Sequence, residues 1–80
     1  MADRSSRREV RNPVLGLPAA KLAMVELTPD ERSRLRRVIV AIRDDARHRA
    51  QECWRNHKAP MALYWKCVAV YCNHIARVLV

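Results

Sequence analysis

Between residues 29 and 57 the apolar positions follow a helical period. Leu35, Val38, Ile39, Ile42, Ala46, Ala50, Cys53 and Trp54 recur at three- and four-residue spacing, and no Gly or Pro interrupts them after Pro29. Such spacing predicts one amphipathic helix of roughly eight turns. Its start is written in "TPDE": Thr28 stands as N-cap, Pro29 takes the first helical position, and Glu31 follows three residues after the cap. That is a capping box with acids at the positive end of the helix dipole.

"HKAP", residues 57 to 60, stops the pattern. Pro60 cannot continue a straight helix without losing a hydrogen bond, but it can begin a new one. The spacing therefore predicts a tight turn near Lys58 and Ala59 and a further helix over 60–79, antiparallel to the first because the connection is short. One long helix kinked at Pro60 is the alternative. Upstream, "PAAKLAMVEL" suits a short helix over 18–27 with Pro at its first position. Residues 1–12 carry Arg4, Arg7, Arg8 and Arg11 against Asp3 and Glu9 with no apolar period, and predict a flexible basic tail. The remaining 13–80 form a single helical domain of all-α class.

The last helix, in "ALYWKCVAVYCNHIARVLV", differs from the one before it. Lys66, Asn73 and Arg77 fall within about 40° of one another on a helical projection, and nearly every other position is apolar. The interrupting charges exclude a membrane span, which needs about 20 mostly apolar residues in a row. A helix apolar almost all round needs cover on several sides. The preceding helix covers one, and the segment with Leu15, Leu17, Leu22, Met24, Val25 and Leu27 is placed to cover part of another. The remainder, Leu63, Tyr64, Trp65, Val68, Tyr71, Ile75 and Leu79, is the expected partner-binding or dimer surface. The expected architecture is thus an antiparallel hairpin plus a short N-terminal helix, completed to a helical bundle by dimerisation. A compact monomeric three-helix bundle is the alternative.

Length strengthens that expectation. A chain of 80 residues buries only about 60% of its unfolded surface, so stability is marginal without dense packing or a partner. Charge adds a second surface. The net charge is +8, from 13 Arg and three Lys against eight acids, and attracts phosphate, acidic lipid or acidic protein. Asp30 with Arg34, Asp45 with Arg49, and Glu52 with Arg55 are spaced for local pairing on a solvated face. Arg32, Arg36, Arg43 and Arg47 instead share one side within about 60°, and only Arg47 has an acid, Asp44, at suitable spacing. This basic strip can follow a nucleic-acid backbone without reading sequence, or anchor an acidic protein. No helix-turn-helix, C2H2 zinc pattern or basic-aromatic RNA-binding motif accompanies it.

Candidate chemistry subtracts little from this picture. Cys53, His57 and Cys67 lie near one level of the predicted hairpin, but structural zinc needs four ligands with paired close spacings, and no CxxC or HxxxH occurs. Cys72 and His74 diverge by about 200° on a helix. A single Gly excludes phosphate-cradling loops, and Asp44 with His48 is spaced as a surface pair. Neither cofactor, metal, catalytic residue nor small-molecule substrate is expected. Residues 1 to 13 offer no apolar secretory segment, and three cysteines form no even disulfide framework, so a cytoplasmic setting is expected. The expected function is a non-enzymatic helical protein-interaction module that regulates or inhibits a partner protein, of the kind a phage or mobile element encodes. The alternative is a dimeric, non-sequence-specific nucleic-acid-binding protein that uses the Arg strip.

Overall fold

The computed structural model of the chain describes residues 11–80. The expected basic tail therefore lies outside the described residues, apart from Arg11 and Asn12. A 3-10 turn spans Pro13–Gly16, followed by helices α1 (Pro18–Glu26), α2 (Pro29–Arg55) and α3 (Ala59–Val78). No strand occurs among the described residues. The all-α class and the packed α2–α3 hairpin agree with the sequence pattern. Helix α2 starts on the expected capping box: the Glu31 N–H donates to Thr28 Oγ1 at 3.1 Å, and the Thr28 N–H donates to Glu31 Oε1 at 2.9 Å.

Between α2 and α3 the chain makes a turn, not a kink. Helix α2 ends at Arg55, two residues before the expected boundary, because His57 takes a left-handed conformation at φ 59°. The Lys58 N–H then donates to the Cys53 carbonyl at 2.8 Å and the His57 N–H to the Trp54 carbonyl at 3.2 Å. This pair of bonds is a Schellman motif, which satisfies carbonyls that the helix end leaves open. Pro60 falls in the first turn of α3, where its missing N–H leaves no bond unmade.

The hairpin is held by an alanine seam. On α3, Ala62, Trp65, Ala69, Cys72 and Ala76 alternate at three- and four-residue spacing and turn toward α2. On α2 the matching positions are Ile39, Arg43, Ala46, Ala50 and Cys53. Ala46 and Ala76 are each only 2% exposed, and four of the eight buried apolar residues of the described chain are alanines of this seam. Small side chains let helix axes approach toward the short end of the usual 8–10 Å range. They also bury little: one methyl contributes about 0.8 kcal/mol.

The molecule is accordingly thin. Its extents are 43 × 38 × 16 Å, and the smallest is little more than one helix diameter of about 10–12 Å. Its radius of gyration, 15.0 Å, exceeds the roughly 12 Å of a compact domain of this length. Helix α1 does not thicken it. Only Ala20 of α1 is buried, while Leu22, Met24 and Val25 face solvent, so α1 withholds the cover that the sequence led us to expect of this segment. Arg32 ties α1 to α2 by donating to the Met24 and Leu27 carbonyls at 2.9 and 2.7 Å. The 3-10 turn packs on the far end of α3, where Val78 and Leu79 are buried. There Asn12, 3% exposed, donates from Nδ2 to the His74 carbonyl at 2.9 Å.

Candidate interaction surfaces

A single layer of helices presents two broad faces, and their chemistry differs. Arg49 lies over the Trp65 ring, 5.9 Å from its centroid, and so marks one face. Leu35 and Ile42 precede Arg49 at seven-residue intervals and share that side of α2, with Val38 beside them. On α3 the ring of Tyr64 meets Trp65 edge-on at 5.0 Å, and Val68, Tyr71 and Ile75 continue the row at helical spacing. Trp65 and Val68 are half-buried; Leu35, Val38, Ile42, Tyr64, Tyr71 and Ile75 are exposed. From Met61 to Ile75 this side of α3 carries no charge.

The opposite face is marked by Arg43, whose guanidinium donates to Asn73 Oδ1 at 3.0 Å across the hairpin. Here two adjoining depressions of about 340 and 350 Å³ run along the seam. Ala50, Ala62 and Ala69 form their floor. Arg47, Gln51 and Trp54 rise from α2, and Leu63, Lys66 and Val70 from α3, with Asn73 and His74 closing one end. No acidic side chain lines either depression.

The sequence-predicted surface is thus divided. Tyr64, Trp65, Val68, Tyr71 and Ile75 share the apolar face, whereas Leu63 belongs to the groove on the other side. Leu79 belongs to neither: it lies past the end of α3 and is 4% exposed. The Arg strip does not stand free as a unit. Arg32 is engaged with α1 carbonyls, and Arg43, its side chain 21% exposed, bonds Asn73 and Asp44. Arg36 is exposed, and Arg47 keeps a loose contact with Asp44 at 3.8 Å. Asp30 pairs with Arg34 as its spacing implies, but Asp45 with Arg49 and Glu52 with Arg55 form no ion pair, and Arg49 turns onto Trp65 instead. Asp44 faces the two arginines rather than His48.

Lys66, Gln51, Trp54 and Val70 were not among the predicted site residues. The spacing of Gln51 with Trp54 and of Lys66 with Val70 carries the signal, once Asn73 is known to face Arg43. Among the described residues no group of three His, Cys, Asp or Glu side chains is placed to hold a metal ion. The three cysteines are unpaired: Cys53 half-buried, Cys67 exposed, Cys72 buried. No described helix is long and apolar enough to cross a membrane. No protein-family model, no curated protein and no solved structure matches the chain.

Proposed function

We propose that this chain is one half of a two-layer assembly: a homodimer, joined through the Tyr64–Ile75 face, that works as a protein-interaction module without chemistry of its own. The observation that carries this reading is the single-layer fold with its large apolar side chains turned outward. Stable domains bury an apolar face between two packed layers, and this chain supplies one. From their fractional exposures, Leu35, Val38, Ile42, Met61, Tyr64, Tyr71 and Ile75 present on the order of 700 Å² to solvent, close to the about 800 Å² per partner of a standard interface. A second copy laid on this face completes a four-helix bundle and leaves the basic groove of each copy outward, free to engage the protein that the module regulates or inhibits in the cytoplasm of a bacterial or phage-infected cell.

Sedimentation at micromolar concentration tests the assembly. The expected species has twice the 9.3 kDa of the chain, and Tyr71→Lys together with Ile75→Lys returns it to monomer. A clean monomer of the unaltered chain at that concentration sinks the proposal. The nucleic-acid alternative depends on the Arg strip, of which Arg32 and Arg43 are engaged within the chain. It predicts a steep log–log salt dependence of binding to random duplex, reduced by about one unit for each of Arg36→Ala and Arg47→Ala.

A further inference from the structure

The groove on the basic face has a shape and a charge that select one kind of occupant. Its floor is alanine, so a helix laid along it approaches the backbones of both α2 and α3 and sinks large side chains between them. Trp54, Leu63 and Val70 give it apolar walls, and Trp54 and Leu63 are 69% and 63% exposed with nothing in the described chain to cover them. Arg47 and Lys66 stand on its two rims, and Lys66 forms no ion pair among the described residues. From the level of Ala59 to that of His74 the groove runs about 22 Å, the length of a helix of roughly 15 residues.

We infer that this groove is the docking site for an acidic amphipathic helix of a partner protein. Apolar residues at i, i+3 or i+4, and i+7 fill the floor, and Asp or Glu on the flanks meets Arg47 and Lys66. The complementarity is one-sided: a basic helix meets like charge on both rims, and a second copy of this chain brings its own arginines. A nucleic acid satisfies the rims but leaves the alanine floor and the indole of Trp54 unfilled along most of the groove. The inference rests on the protein-interaction reading above but not on the dimer, because the groove and the tyrosine face are opposite.

The test is a display selection on the full chain with a library of helical peptides of roughly 15 residues, followed by fluorescence anisotropy of the enriched peptides and of a random DNA duplex. Three variants at exposed positions keep the seam intact, as checked by circular dichroism: Leu63→Asp and Lys66→Glu in the groove, and Tyr71→Lys on the other face. The expected peptides have an apolar helical stripe with acidic flanks, and lose at least about tenfold in affinity to each groove variant but not to Tyr71→Lys. Enriched peptides without acidic bias overturn the inference. So do peptides whose binding falls only with Tyr71→Lys, although these leave the protein-interaction reading standing. An absence of any enrichment overturns both. Duplex binding that is abolished by Lys66→Glu while peptides fail assigns the groove to nucleic acid and overturns the inference in that direction.

Discussion

Replacing Ala69 by Leu adds three carbons at the middle of the seam, where the side chain is 5% exposed and the seam positions one heptad away on α3 are Ala62 and Ala76. The added volume forces α2 and α3 apart and strips Ala46 and Ala76 of their contacts. Overpacking of this kind costs about 1–3 kcal/mol, which for a domain of this size lowers Tm by roughly 5–20 °C. Tyr71→Ala makes the instructive contrast. It deletes one of the largest apolar side chains on α3, yet Tyr71 is 60% exposed. The part already covered is on the order of 80 Å², worth at most about 2 kcal/mol, and Ala regains about 0.5 kcal/mol of helix propensity over Tyr. Thermal and urea unfolding followed by circular dichroism at sub-micromolar concentration gives both values for the isolated chain. Repeated at tens of micromolar, the Tyr71→Ala loss is expected to grow with concentration if the proposed dimer forms, and the Ala69→Leu loss to keep its monomer component. If Tyr71→Ala is the more damaging change where the unaltered chain sediments as a monomer, the seam does not hold the hairpin and the reasoning fails.

Substitutions at three further positions probe the local devices. His57→Gly relieves the left-handed conformation at φ 59° and raises stability by about 0.5–1 kcal/mol, whereas His57→Val lowers it; equal unfolding midpoints for the two variants count against the turn as described. Arg32→Met removes the donors to the Met24 and Leu27 carbonyls, so amide exchange in α1 speeds by about tenfold while the seam amides of α3 keep their protection. The Thr28 backbone N–H first, and its hydroxyl second, hold the Glu31 carboxyl below its ordinary value of 4.5. Because the folded value is the lower one, the contribution of Glu31 is present above 4.5 and is lost as pH falls through the lowered value. An NMR titration of the Thr28 and Glu31 amides then inflects below 4.5 and loses that inflection in Glu31→Gln; an inflection at or above 4.5 refutes the capping interaction.

Much of the architecture was legible in the residues. "TPDE" fixed the start of α2 to the residue, since a capping box has no degenerate register, and Pro60 marked α3 to within one position. The C-terminal end of α2 was harder, because His57 holds the left-handed position that Gly usually holds and so hid the Schellman motif. The seam was not singled out, for a physical reason. Leu35, Val38 and Ile42 satisfy a helical period as well as Ala46 and Ala50 do, and hydrophobicity alone favours the larger residues for the interior. The heptad of Ala62, Ala69 and Ala76 was present in the sequence, but alanine also signals helix propensity alone. The division of the site followed from the same choice. Leu63 and Tyr64 are consecutive on α3 and so lie about 100° apart, on opposite sides of the alanine seam, and the side with Leu63 also carries Asn73 to Arg43.

That geometry also decides which face can pair with itself. In a symmetric dimer each surface meets its own copy, so every charge near the two-fold axis meets a like charge. Pairing through the groove sets Arg47 and Lys66 of one protomer against those of its partner, in a chain whose net charge is already +8. Pairing through the tyrosine row brings together a side of α3 without charge, and on α2 the adjacent Asp45 and Arg49 balance each other. The proposed self-association and the proposed recognition of an acidic helix therefore have separate faces to use. Salt tells the two proposals apart: screening is expected to weaken binding of an acidic peptide in the groove and, by damping repulsion between two strongly basic protomers, to tighten a dimer. Raising ionic strength from 50 to 500 mM is expected to move the two affinities in opposite directions (about 8 Å of Debye length at physiological salt sets the scale), and movement in the same direction refutes the division of labour between the faces.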